Sequence, residues 1–197
     1  CADSRMAFAK AAARAFVALE LNRSLQVGLL SFSDLPRMET SFTNLDVAHA
    51  ATLTNKIDLL SPGGMTGIGR ALVRSIEAFE SVTGTAAKVV FLLSDGENTI
   101  GEEPSTTYTT LQAAGIRVFT IPCGEAVATG VLHDISRQTG GTRIQADTFG
   151  ELPSIYGELS ARLHNEGIVL DRQPYIIQAE EQGGGGSYPT SVEHIFP

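Results

Sequence analysis

The sequence predicts an α/β domain built on a largely parallel sheet. Short apolar runs of strand length alternate with longer segments whose apolar residues recur at helical spacing. The joints between them carry Gly, Pro or Asp at positions that stop or start helices. The chain's 197 residues suffice for one domain with a proper core and part of a second.

Phe8, Ala12, Phe16 and Leu19 recur at helical spacing, so residues 4–22 read as an amphipathic helix. "LQVGLLSFS" (25–33) is an apolar run suited to a buried strand. "RMETSFT" (37–43) sets Met38, Thr40 and Phe42 on one side, as a short edge strand would. Asp46 can cap a helix over 47–60, which Pro62 and Gly63 end. Ile68, Leu72, Ile76 and Phe79 define the apolar face of a helix at 67–82. "KVVFLLSD" (88–95) is the clearest buried strand. Pro104 leads into a helix near 105–114, closed by Gly115, and "IRVFTIP" (116–122) is the next strand. Val127, Val131 and Ile135 mark a helix ended by Gly140–Gly141. "TRIQA" (142–146) reads as a strand, and 149–164 as a last helix with Leu152, Ile155, Tyr156, Leu159 and Leu163 inward. Beyond 166 the pattern changes to extended pieces around Pro174 and Pro189, split by Gly-Gly-Gly-Gly-Ser. That tail reads as a linker and the start of a following β-type module. The expected division is therefore 1–166 and 167–197.

Acidic residues outnumber basic ones, 22 to 14, giving a formal charge of −8. This disfavours nucleic acid, whose affinity rests on Lys and Arg neutralising phosphates. It suits a cation or a basic partner surface better. No apolar run nears the roughly 20 residues that cross a bilayer, so no direct membrane insertion is expected. Cys1 and Cys123 lie far apart without metal-type spacing, and two unpaired thiols are the simpler expectation over a disulfide.

In parallel sheets ligands sit beyond the carboxyl ends of the strands, which singles out the loops at 31–36, 61–67, 94–100 and 121–126. "SPGGMTGIGRAL" resembles a phosphate loop only in its glycines. Arg70 follows the last glycine, no lysine lies nearby, and no strand feeds the loop. Thr66 instead offers a hydroxyl at the mouth of a helix. Asp95 ends the most apolar strand, where an unpaired carboxylate would be costly. A hydroxyl, a carboxylate and water form a hard-oxygen set suited to Mg²⁺ or Mn²⁺. The same two residues would equally suit a helix cap and a turn. Glu97, Asn98, Glu102 and Glu103 form a polar, mostly acidic rim, read first as solvated loop charge.

No enzyme chemistry is expected. The four histidines are dispersed, and none is paired i, i+4 around a glutamate. His133 and Asp134 fall on a helix surface. No G-x-S-x-G elbow exists, since Ser31 and Ser33 flank Phe32 without glycines. Cys123 has no histidine close in sequence to activate it.

"QVGLLSFSD", "SPGGMTGIGRALVRSIEAF", "KVVFLLSDGENT", "AAGIRVFTIPCG" and "LHDISRQTGGTRIQADTFGEL" stand in the order and spacing of a von Willebrand factor A domain. The resemblance covers roughly residues 4–165. It implies a Rossmann-like fold, mostly parallel, with helices on both faces and a short antiparallel edge strand. It also implies a metal-ion-dependent adhesion site. The family's T-x-x-G-x-A-L loop falls on Thr66, Gly69, Ala71 and Leu72, and its T/S-D-G loop on Ser94, Asp95 and Gly96. The implied ion is Mg²⁺ (or Mn²⁺ or Ca²⁺), completed by an acidic residue of another protein. The implied function is metal-dependent protein–protein interaction or adhesion. The alternative is a structural or regulatory domain of a larger protein whose metal site is unused. The continuation into a Pro-containing β stretch is similar to proteins related to calcium-activated chloride channel regulators, which are secreted or surface proteins. An extracellular or cell-surface location is expected accordingly.

The family's first loop, D-x-S-x-S, is not matched by "CADSR", and the first strand of the sheet is expected to be missing. In the family that strand runs between those matching 26–32 and 88–94. An empty slot would leave backbone groups unpaired, each costing about 1–3 kcal/mol when buried. Several of these would rival a domain's whole stability of roughly 5–15 kcal/mol. Either an N-terminal truncation accounts for the gap, or another segment fills it. "GIVLD" (167–171) is the conceivable substitute by sequence. Binding of a divalent ion by this chain is expected to be weak or absent.

Overall fold

The computed structural model describes residues 2–21, 25–82, 87–94, 97–122, 129–144 and 173–180. Helix α1 (Ala2–Glu20) leads to strand β1 (Leu25–Phe32), which turns back antiparallel as β2 (Pro36–Asn44). Helices α2 (Val47–Leu59) and α3 (Ile68–Glu80) follow, then β3 (Lys88–Ser94). A 3-10 turn (Pro104–Thr107) runs into α4 (Tyr108–Ala113), β4 (Ile116–Pro122) and α5 (Thr129–Gln138). The last described element is β5 (Gln173–Glu180). The five strands form one sheet in the order β2-β1-β5-β3-β4, parallel except for β2 at the edge.

Two apolar layers enclose the sheet. On one face α1 and α2 pack Phe8, Ala12, Phe16, Leu53 and Ile57 against Val27, Leu29, Val89, Phe91, Leu93 and Phe119. On the other, Ile68, Leu72, Phe79, Leu111, Leu132 and Ile135 meet Leu30, Phe32, Val90, Leu92 and Val118. The alternation along β3, with odd residues on one face and even on the other, follows from the two-residue repeat of a strand. Burial on both faces explains why its sequence is almost continuously apolar. The rings of Phe16 and Phe91 stand 5.0 Å apart, and those of Phe91 and Phe119 5.8 Å, across the first layer.

Local signals act where the sequence places them. Asp46 is the N-cap of α2, and its Oδ1 accepts the His49 N–H at 2.8 Å. In β2 the partly buried Met38 and Phe42 pack on the second core layer. β1 carries an irregularity around Gly28, where the Leu29 N–H donates to the Thr40 hydroxyl at 3.0 Å. A Cβ at Gly28 would stand 3.3 Å from the Thr40 carbonyl oxygen, so the irregularity brings the strands unusually close. His133 and Asp134 are exposed on α5.

Four expectations change. Leu19 is 40% exposed, and the buried stripe of α1 continues instead through Val17 and Glu20. The buried face of α1 is centred on Ala9, Ala13, Phe16 and Glu20, and Leu19 lies at its margin. Residues 142–146 contribute only an isolated bridge, Arg143 to Thr120, with 145 and 146 outside the described residues.

Third, the central slot is filled. β5 runs parallel to β1 from Leu25–Gln173 to Phe32–Glu180, and parallel to β3 from Val89–Tyr175 to Leu93–Ala179. Residues 173–180 therefore belong to the sheet, where a linker and a following module were expected, and they supply the strand expected to be missing. The physical reason is the cost of leaving β1 and β3 unpaired in the middle of the sheet. Fourth, the occupant is 173–180 and not 167–171, which lie outside the described residues, as do the predicted helix at 149–164, Cys1 and Cys123.

Candidate metal centre

The candidate site lies at the carboxyl end of the parallel strands, where three described loops are tied to one another. The loop after β1 supplies Ser33 and Asp34. The glycine loop before α3 supplies Met65, Thr66 and Gly67. The loop after β3 supplies Asn98, Thr99 and the turn at 100–103.

Thr66 is the hub. Its N–H donates to the Thr99 hydroxyl at 2.8 Å, and its carbonyl oxygen accepts the Thr99 N–H, also at 2.8 Å. The Met65 N–H donates to Asp34 Oδ1 at 2.5 Å, and the Gly67 N–H to the Ser33 carbonyl oxygen at 3.0 Å. Thr66 is consequently held from both sides by its neighbours in the chain and is 0% exposed.

Two glycines permit this closeness. A Cβ at Gly67 would stand 2.9 Å from the Ser33 carbonyl oxygen, and one at Gly69 only 1.8 Å from that of Glu102. Both neighbours are backbone and cannot swing aside. The glycines of "SPGGMTGIGRAL" thus let three loops converge, and the feature that suggested a phosphate cradle is a packing requirement.

The N-cap of α3 is Gly67, which has no side chain to cap with, so Thr66 is not the capping residue. Asn98 does that work from the neighbouring loop. Its Oδ1 accepts the Gly69 N–H at 3.1 Å, satisfying one of the otherwise unpaired first-turn donors. Its Nδ2 donates to the Glu102 carbonyl oxygen at 3.1 Å. Arg70 adds a further strap, with Nη1 donating to the Asp34 carbonyl oxygen at 2.6 Å and Nε 3.7 Å from Glu102 Oε2.

Sequence reasoning selected these loops and Thr66, but it missed Asp34, Asn98, Thr99 and Arg70 as the residues that fix the geometry. Asn98 was grouped with the solvated rim. The "SFSD" ending of the first strand was the available signal for Asp34. Glu97, Glu102 and Glu103 are exposed, as a rim would be.

Asp95 and Gly96 lie outside the described residues. Ser94 is the last residue of β3 and is buried, so the chain position of Asp95 follows the carboxyl end of that strand. Thr66 fits a hard divalent ion in chemical type. In number the fit is poorer. Asp34 Oδ1 and Asn98 Oδ1 already accept backbone donors, and among the described residues no group of three or more His, Cys, Asp or Glu could hold a metal. Nor is any helix among the described residues long and apolar enough to cross a membrane.

The comparisons with known proteins agree with this architecture. The sequence pattern of the von Willebrand factor type A domain matches residues 5–158. The YwmC protein of Bacillus subtilis (strain 168) is 32% identical over 110 residues, which is 55% of this chain and 48% of that protein. The chain thus spans about half the length of that relative. Among solved structures, a von Willebrand factor type A protein from Catenulispora acidiphila superposes with a TM-score of 0.70 at 16% identity. The match covers 79% of this chain and 37% of that one. Proximal thread matrix protein 1 from the mussel byssus, in a form with a zinc-occupied MIDAS motif, gives a TM-score of 0.61 at 21% identity. It covers 78% of this chain and 39% of that one. At these identities the structural likeness speaks for the fold, and the sequence pattern covers well over half the chain. The chain belongs to the von Willebrand factor type A domain family.

Proposed function

We propose that this chain is the recognition domain of a larger protein, which in its intact form binds another protein through a divalent ion held in part by Thr66 and Asp95. The carrying observation is the fixed position of Thr66, buried where three loops meet at the carboxyl end of the sheet. An ion there is Mg²⁺ in type, with Mn²⁺ or Ca²⁺ as substitutes, because the donors are oxygens. A carboxylate from the partner completes its coordination, and no bond is made or broken. The byssus protein with a zinc-occupied site supports the general ability of this fold to hold a divalent ion.

The surroundings suit a protein partner. Leu35 and Met65, 71% and 46% exposed, stand on the two loops joined by the Asp34–Met65 hydrogen bond. They present apolar surface beside the ion site, while exposed Glu97 and Glu103 favour a partner with basic residues around its carboxylate. A role outside the cell or at its surface follows from this reading.

The poor count of free oxygen ligands among the described residues favours a second reading, a structural domain whose site stays unused. Calorimetry with Mn²⁺ separates the two. The first reading predicts a dissociation constant of about 1 mM or weaker, corresponding to roughly −4 kcal/mol at most, and loss of binding in Thr66→Ala. Heats unaffected by that substitution favour the second reading. Micromolar binding would contradict the expectation of an incomplete site.

A further inference from the structure

The chain carries three methionines, and their surroundings differ. Met6 is 6% exposed and packs with Leu60 in a small apolar cluster. Met38 is partly buried against the second core layer. Met65 is 46% exposed, and it stands in the three-loop junction itself. Before it comes Gly64, whose positive φ of 75° turns the chain, and after it comes the buried Thr66.

The backbone of Met65 is held while its side chain reaches solvent. Its N–H donates to Asp34 Oδ1 at 2.5 Å, and the next two residues are tied to Thr99 and to the Ser33 carbonyl oxygen. Leu35, which follows Asp34 on the neighbouring loop, is exposed as well. A chemical change confined to the Met65 thioether therefore alters the surface of the junction and spares the hydrogen bonds that fix it. The same change at Met6 or Met38 would set a polar group in packed apolar surroundings, which is costly.

A thioether is soft and polarizable, and its oxidation yields a polar, chiral sulfoxide. We propose that Met65 is an oxidation switch on the recognition face, with hydrogen peroxide as the oxidant. The sulfur lone pair attacks one peroxide oxygen, and the S–O bond forms as the O–O bond breaks. The proton on the transferred oxygen passes to the departing hydroxide, which leaves as water. The sulfur is oxidised by two electrons and the peroxide is reduced. Sulfoxide reductases return the product to the thioether. Oxidation thus removes apolar surface beside Thr66 and weakens docking of an apolar partner surface, and reduction restores it. The consequence for docking rests on the recognition reading proposed above, whereas the site of oxidation does not.

The test treats the full 197-residue chain with hydrogen peroxide and follows each methionine by peptide mass mapping. Met65 should gain oxygen on the order of tenfold faster than Met6 or Met38, because access to the sulfur controls the rate. The chain oxidised at Met65 should elute earlier from a phenyl hydrophobic-interaction column, with its thermal midpoint unchanged. Met65→Leu should elute late and lose the response to peroxide. Equal rates at the three methionines would overturn the proposal, as would unaltered elution after oxidation at Met65. A midpoint that falls in step with Met65 oxidation would also overturn it, since the change would then act through the fold. Calorimetry with Mn²⁺ on Thr66→Ala bears on the ion reading alone, so the two can fail separately.

Discussion

At the scale of single residues, the site is organised by groups whose importance comes from distant contacts. Asn98 reaches Gly69 across 29 positions of sequence, Asp34 reaches Met65 across 31, and Thr99 reaches Thr66 across 33. Thr66 was legible because a hydroxyl at a helix mouth has a local meaning. Asn98, Thr99 and Asp34 were not, because nothing within a few residues of them announces a partner. Gly69 is intermediate. Its place in a motif was visible, but its reason, the Glu102 carbonyl oxygen 1.8 Å from any added Cβ, is tertiary. Gly69→Ala should therefore destabilise the domain by about 1–3 kcal/mol, as overpacking does, read as a lower denaturation midpoint. An unchanged midpoint would mean that the 102 loop can retreat.

Tyr108 gives a residue-scale pH prediction. Burial, and then the negative charges of Asp134 and Glu103, raise its phenol above the ordinary value of 10.0. A raised acid favours folding while it is protonated. Its contribution is full below the unfolded value and fades as pH climbs through the folded one, so its loss is felt only on the alkaline side. Ultraviolet titration should show a late-ionising tyrosine phase, and Tyr108→Phe should reduce it.

At the scale of elements, local pattern and position agree for most of the chain. The apolar runs at 25–33, 88–95 and 116–122 became β1, β3 and β4, because burial on both faces demands that composition. Asp46 announced the start of α2 through a cap that acts within three residues. Asp46→Ala should cost about 1 kcal/mol, measurable by thermal unfolding, and Asp46→Asn should restore most of it. β5 was illegible for the opposite reason. Proline and two glutamines mark an edge or a connection, and only the unpaired backbones of β1 and β3 make 173–180 a central strand. In the short run at 142–146, Arg143 is the bridge residue among the described residues 142–144, and 145 and 146 lie outside them.

At the scale of the whole molecule, a sheet covered on both faces places its loops at one end and holds them there by hydrogen bonds between loops. Rigidity supplied by the straps at Asp34, Asn98 and Arg70 spares a bound ion the cost of ordering its ligands. In the proposed function, Thr66 and Asp95 form that ion site. Nuclear magnetic resonance of the amide-labelled chain with trace Mn²⁺ tests it most directly, because paramagnetic broadening reports position even when binding is weak. Broadening should centre on the amides of residues 65–67 and 94–97 and be lost in both Thr66→Ala and Asp95→Ala. Broadening centred instead on the exposed acidic rim at Glu102 and Glu103, and unchanged by either substitution, would contradict it.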